Sequence, residues 1–176
     1  MVFSKTRIEG VYIIEPQPSE DSRGWFSRNF CKREFEANGL HSEFVQHNVS
    51  YNKRKGTLRG LHFQKPPHEE VKVVQCIKGR IFDVVVDLRV DSATYLEWLS
   101  VELCEGSRRM LYVPKGFAHG FQTLCDDAVV FYLMGDYYVK GFEGGLRYDD
   151  EALGIDWPIK SGITISDKDS ELPNLR

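Results

Sequence analysis

No stretch of this sequence approaches the roughly 18 apolar residues that a membrane-spanning helix needs. No membrane partner is therefore expected. An excess of positive charge is also missing. Lys and Arg total 23 against 26 Asp and Glu, for a net charge of −3. Without a basic stripe or tail, nucleic acid is not an expected partner, and any phosphate must be met by a few placed cations. Cysteine is scarce: four residues, Cys31, Cys76, Cys104 and Cys125, fit neither a zinc knuckle nor a CxxC motif. Met1–Gly10 has no hydrophobic run of the kind a secretory leader carries. The expectation is a cytoplasmic protein with reduced thiols. Repeats, low-complexity tracts and Pro/Gly/Ser-rich linkers are absent too. Residues 1–176 therefore read as a single domain, long enough to bury a core.

What the chain does have is glycine, 15 residues, and aromatics at 12%, with turn signals at short intervals. That pattern predicts an all-β barrel or sandwich. The clearest local signal is a hairpin with arms Val71–Ile77 and Arg80–Leu88 joined by Lys78-Gly79, the glycine supplying a positive-φ corner. On the second arm Phe82, Val84, Val86 and Leu88 share an apolar face, and Ile81, Asp83, Val85 and Asp87 a mixed one. An acid such as Asp83 on such a strand needs a partner or a wet cavity. Leu96–Leu103, Ser107–Val113 and Ala128–Met134 read as further strands. A short helix is predicted over Lys32–Asn38, with Gly39 ending it and Phe35 facing inward. The polar, turn-rich last thirty residues should lie over the barrel as loops and short helices.

Two of the five histidines stand in suggestive contexts. His62 lies in Leu58-Arg59-Gly60-Leu61-His62-Phe63-Gln64, and His119 follows a Pro-x-Gly turn in Pro114-Lys115-Gly116-Phe117-Ala118-His119. A His-bearing strand ending at a glycine turn, then a PxGxxH strand, resembles the two motifs of the cupin barrel. Metal-binding cupins carry a second His where this chain has Gln64, a poor transition-metal ligand. Lys72, following Glu69 and Glu70, would repel a divalent cation. A barrel without metal is expected. Breaking a C–H bond beside a carbonyl requires a base, positive charge for the enolate oxygen, and an acid. His62, Lys72 and Tyr132 match those needs. Taken singly, a buried tyrosine with a bonded hydroxyl and a lysine on a solvated strand edge are the ordinary readings of the last two.

The motifs extend much further: Asp21-Ser22-Arg23-Gly24-Trp25-Phe26, Gln46-His47-Asn48-Val49-Ser50, Val71-Lys72-Val73-Val74, Phe82 through Arg89, Gly154-Ile155-Asp156-Trp157-Pro158 and Ser166-Asp167-Lys168-Asp169. Over nearly its whole length the chain resembles the dTDP-4-dehydrorhamnose 3,5-epimerases. The resemblance implies a cupin-like jelly-roll barrel with a few short peripheral helices, working as a homodimer without cofactor or metal. It implies a nucleotide-sugar substrate, dTDP-6-deoxy-D-xylo-4-hexulose, inverted at C3 and C5. It implies His62 as general base, Asp169 as the acid that orients it through Nδ1–H, Tyr132 as proton donor on the opposite face, and Lys72 as enolate stabiliser. Arg23, Arg59, His119 and Lys168 would hold the diphosphate or neighbouring sugar. Gln46, Asn48, Tyr138, Glu143 and Phe26 would form the nucleotide site.

Arg59 and His62 have opposite strand parity, so both can face one pocket only if the strand is irregular between them, with Gly60 the natural site. Arg28 departs from the family, standing where most members carry Glu near the nucleobase. An arginine only donates hydrogen bonds, so recognition of the base is an open point, and a solvated surface arginine is the ordinary reading. Other readings are a C3- or C5-only epimerase of a CDP- or GDP-linked ketosugar, a 3,4-ketoisomerase on the same barrel, and a non-catalytic sugar-binding cupin.

Overall fold

The alternating and continuous apolar runs fold as strands that share the burial of two faces. The computed structural model describes residues 1–175. In chain order its strands are β1 (Val2–Lys5), β2 (Tyr12–Glu15), β3 (Ser19–Asp21), β4 (Gly24–Phe26), β5 (Gln46–Asn52), β6 (Leu58–Gln64) and β7 (Lys72–Lys78). They continue with β8 (Arg80–Asp87), β9 (Trp98–Cys104), β10 (Met110–Val113), β11 (Phe117–Thr123), β12 (Ala128–Met134) and β13 (Glu143–Gly145). Two short helices, α1 (Lys32–Ala37) and α2 (Asp167–Ser170), complete the fold. One sheet has the order β1-β2-β10-β7-β12-β5 and the other β13-β6-β11-β8-β9, while β3 and β4 form a separate two-stranded ribbon. Every strand pair is antiparallel. The two large sheets pack face to face around one core as a cupin-like jelly-roll barrel.

The expected hairpin across Gly79 is not a hairpin. Both arms are strands, but β7 lies in the six-stranded sheet and β8 in the five-stranded one. The physical reason is double-sided burial. Val74 and Cys76 of β7 and Ile81 and Val85 of β8 pack together between the sheets, while Val73 and Val84 turn outward into separate clusters. Each arm therefore has its own flanking strands. Gly79, at φ +79°, is the corner where the chain changes sheet, and a Cβ there would lie 2.6 Å from Cys125 Sγ.

The outer face of the five-stranded sheet is covered by the C-terminal segment. Leu153 and Trp157 are buried against Val84 and Val86, with Phe82 and Leu88 packed beside them. The apolar face read from the second arm is thus interior. The final segment packs over the sheet as loops and one short helix, as expected. On the outside of the six-stranded sheet, Phe35 of α1 is fully buried. Its helix ends as predicted: Gly39 (φ +70°) donates to Glu36 and Leu40 to the Phe35 carbonyl, and Leu40 packs in the same cluster as Phe35. Two predicted strands begin later than expected, β9 at Trp98 and β10 at Met110. Left-handed residues at Leu96 (φ 64°) and Arg108 (φ 56°) turn the chain just before them.

Candidate active site

Strand β6 carries the irregularity its sequence required. Its pairing with β11 shifts between His119 and Phe121, and Gly60 sits at φ +104°. A Cβ at residue 60 would lie 2.7 Å from the His119 carbonyl oxygen, so only glycine fits. The shift lets Arg59 and His62 line one cavity of about 890 Å³. It also frees the Gly60 N–H, which donates to Asp169 Oδ2 at 3.0 Å.

Asp169 comes from α2, whose N-cap Ser166 accepts from the Asp169 N–H. Its other oxygen, Oδ1, lies 2.8 Å from His62 Nε2. The nitrogen differs from the expected Nδ1. Burial of Asp169 opposes its ionisation, but the His62 and Gly60 hydrogen bonds more than offset it and hold the carboxyl below the usual aspartate range. An ionised carboxylate can only accept, so Nε2 carries the proton and the lone pair of His62 is on Nδ1. Nδ1 makes no hydrogen bond among the described residues.

The other predicted catalytic groups line the same cavity. Lys72 begins β7 and is 7% exposed. Its ammonium pairs with Glu70 at 2.9 Å and donates to the His62 carbonyl at 3.2 Å. Tyr132 lies on β12, in the sheet opposite His62, with its oxygen 3.3 Å from Ser50 Oγ. Burial raises its phenol well above the usual tyrosine range. His119 is paired with His62 across the β6–β11 ladder. Its Nε2 is 2.6 Å from Asp83 Oδ1, which gives the buried acid the partner its position demanded. Burial pushes the Asp83 carboxyl up, and His119 works against that shift.

At the mouth, Tyr138 donates its hydroxyl to Glu143, and its backbone N–H donates to Gln46 Oε1 at 2.5 Å. The tyrosine bond holds Glu143 down at about 2. Asn48, Arg59 and Lys168 line the cavity as expected. The donor set a metal cupin would use is committed elsewhere. The Gln64 amide donates to the carbonyls of His68 and Tyr137 and accepts from the Val139 N–H, and Glu70 is bound to Lys72.

Three expected site residues are not brought to this cavity. Arg23, Phe26 and Arg28 belong to or follow the β3–β4 ribbon, which pairs with neither large sheet. Arg23 makes a fork with Asp21 and its side chain is 88% exposed. Phe26 is 75% exposed. Arg28 reaches Glu34 at 3.4 Å. Conversely, no role was read from sequence for Asn52 or Ser50. Asn52 is buried and accepts from Arg59 Nε at 2.7 Å. Its even parity with Asn48 and Ser50 on one strand was the available signal.

A His–Asp pair on one side of the cavity, a tyrosine on the opposite sheet and a buried ammonium beside the histidine are the groups that an isomerase of the proton-transferring type needs. The chain belongs to the dTDP-4-dehydrorhamnose 3,5-epimerase family, whose profile matches residues 5–176. The dTDP-4-dehydrorhamnose 3,5-epimerase of Methanothermobacter thermautotrophicus is 44% identical, over 99% of this chain and 94% of its own length. The crystal structure of the Bacillus anthracis enzyme, with TDP and PPi bound, superposes with a TM-score of 0.96 at 42% identity, covering 99% of both chains. That of the Legionella pneumophila enzyme in complex with dTDP-4-keto-L-rhamnose gives 0.92 at 39% identity, covering 98% of this chain and 92% of its own.

Proposed function

We propose that this protein is a metal-independent dTDP-4-dehydrorhamnose 3,5-epimerase of dTDP-L-rhamnose biosynthesis, acting in the cytoplasm. The observation that carries the reading is the placement of His62 and Tyr132 on opposed sheets around one cavity. Inversion needs two faces, because a proton removed and returned from the same side restores the starting sugar. Ketone C4 acidifies the hydrogens at C3 and C5, so one base serves both in turn. His62 Nδ1 takes the proton. The Lys72 ammonium meets the charge that develops on the C4 oxygen. Tyr132 returns a proton from the other side. Asp169 fixes the imidazole tautomer and stabilises the imidazolium, as an orienting carboxylate does in other His-based sites. Arg59 and Lys168 supply the cations for a diphosphate, Arg59 with a planar two-donor fork.

We further propose that the working form is a homodimer. Trp25 and Phe26 on the ribbon, with Val49, Tyr51 and Ile77 on the six-stranded sheet, are large exposed apolar residues. Such an array on a soluble protein marks an interaction surface. A partner copy gives the ribbon somewhere to deliver Arg23, Phe26 and Arg28.

The test is proton NMR in D2O of dTDP-6-deoxy-D-xylo-4-hexulose with the purified protein and excess chelator. Deuterium should enter at both C3 and C5, with the L-lyxo product trapped by a reductase. Entry at one carbon would make it a mono-epimerase. No entry at all would remove the epimerase reading and direct attention to CDP- and GDP-linked ketosugars through Arg28.

A further inference from the structure

If Tyr132 is the acid proposed above, it must leave a phenolate in a poorly hydrated wall, where an uncompensated charge is costly. The polar groups around its oxygen therefore decide whether it can act. Among the described residues one side chain bonds that oxygen, Ser50. Ser50 lies on the neighbouring strand β5, where Asn48 is directly opposite Tyr132 and Ser50 is opposite Val130. It is thus the diagonal neighbour of Tyr132 on the same face of the sheet.

The surroundings of Ser50 leave its hydroxyl free to serve the Tyr132 oxygen. Arg59 Nε donates to Asn52 Oδ1 at 2.7 Å, and a guanidinium cannot accept. The Asn52 amide is therefore fixed with oxygen toward Arg59 and nitrogen toward Ser50 and the Ala128 carbonyl, at 3.3 and 3.2 Å. The Asn52 N–H occupies a lone pair of Ser50 Oγ. Ser50 keeps its proton and its second lone pair, so it can meet the neutral Tyr132 hydroxyl in either direction but must donate once that oxygen is a phenolate, which only accepts. Arg59, Asn52, Ser50 and Tyr132 thus form one polar chain in which the Asn52 orientation is set by Arg59.

We propose that Ser50, held in place by Asn52, is a positioning residue that donates its hydrogen bond to the Tyr132 oxygen as the phenol gives up its proton. In that step the Tyr132 O–H bond breaks and a C–H bond forms on the enolate carbon. The phenolate that remains accepts from Ser50 and later regains a proton from solvent, while His62 releases to solvent the proton it took. Burial raises the phenol, and the Ser50 bond and the Arg59 charge both act to lower it, in keeping with this role.

The inference rests on the epimerase reading, and its test separates the two. Wild type, Ser50→Ala and Ser50→Thr are compared for KM, for kcat of inversion and for the rate at which solvent deuterium enters the substrate. Deuterium entry requires only His62, since the base can return a deuteron to the face it emptied. Loss of a hydrogen bond to a developing charge should lower kcat of inversion by about tenfold to a hundredfold in Ser50→Ala. KM should stay within about twofold, because the interaction is made in the transition state. Deuterium entry should continue at the wild-type rate, and Ser50→Thr, which keeps the hydroxyl, should recover most of the inversion. An unchanged kcat in Ser50→Ala, equal losses of exchange and inversion, or a Ser50→Thr as slow as Ser50→Ala would each overturn the role. Absence of any exchange in the wild type would count against the epimerase reading itself.

Discussion

At the scale of single residues, the site depends on acceptors that can do only one thing. Asp169 is held ionised below the usual aspartate range, so at neutral pH it accepts and cannot donate. That puts the His62 proton on Nε2 and leaves the lone pair on Nδ1, the atom proposed above as the base. Asp169→Asn replaces one acceptor oxygen by a donor and allows the opposite tautomer. The expected outcome is a fall in kcat of about 10²- to 10⁴-fold with KM little changed, by analogy with the same exchange in other His–Asp pairs. A KM effect as large as the kcat effect would show that Asp169 shapes the pocket rather than the base. The motif around His62, and the grouping of His62, Lys72 and Tyr132 in one barrel, made these three legible in the sequence, because together they supply the needs of carbanion chemistry. Ser50 and Asn52 were not legible in this way. Their roles depend on which strand lies beside β12, and a hydroxyl or amide carries no chemical signature of its partner.

At the scale of elements, local rules were legible and long-range pairing was not. The end of α1 and the irregularity at Gly60 follow from short-range sterics and strand parity, and both are where the sequence placed them. The β7–β8 connection looked like a hairpin because two apolar runs flank a glycine. Whether such runs pair or part depends on what covers their second face, which is decided elsewhere in the chain. The end of β8 shows how a turn is secured once pairing stops. Burial of Asp87 opposes ionisation, yet bonds from Arg89, Ser92 and Thr94 hold its carboxyl at about 2, below the ordinary 3.8. A depressed folded-state value means that stabilisation is complete above about pH 4 and is lost as pH falls toward 2. Asp87→Asn should therefore cost about 1–3 kcal/mol at neutral pH, where a charged acceptor is removed. That penalty should shrink to nothing below pH 2. Chemical denaturation at both pH values reads the difference, and an equal penalty at both would mean that shape rather than charge matters at this turn.

At the scale of the whole molecule, the ribbon is the part that one chain does not explain. It stands apart from both large sheets and is tied back by Trp25, which lies 4.2 Å below the Arg108 guanidinium. Resemblance implied Arg23 at the diphosphate or neighbouring sugar and Phe26 at the nucleotide, and the isolated chain places them in solvent. The proposed homodimer reconciles these. Phe26→Ala should raise KM for the nucleotide sugar roughly tenfold, as loss of a buried aromatic anchor would. It should do so although Phe26 does not line the cavity of its own chain. Sedimentation equilibrium should find a dimer in the wild type. A monomer with an unaltered KM in Phe26→Ala would end the proposal.

The bond between His62 and Asp169 spans 107 residues of sequence. Both large sheets are complete by residue 145, while the carboxylate that bonds His62 comes from the last short helix. The same stretch that delivers this carboxylate also covers the outer face of the five-stranded sheet, through Leu153 and Trp157, and lends Lys168 and Leu172 to the cavity wall. Loss of the chain after residue 146 would therefore strip the His62 partner and the packing of that sheet together, so the chemistry and the stability of the protein share one fate.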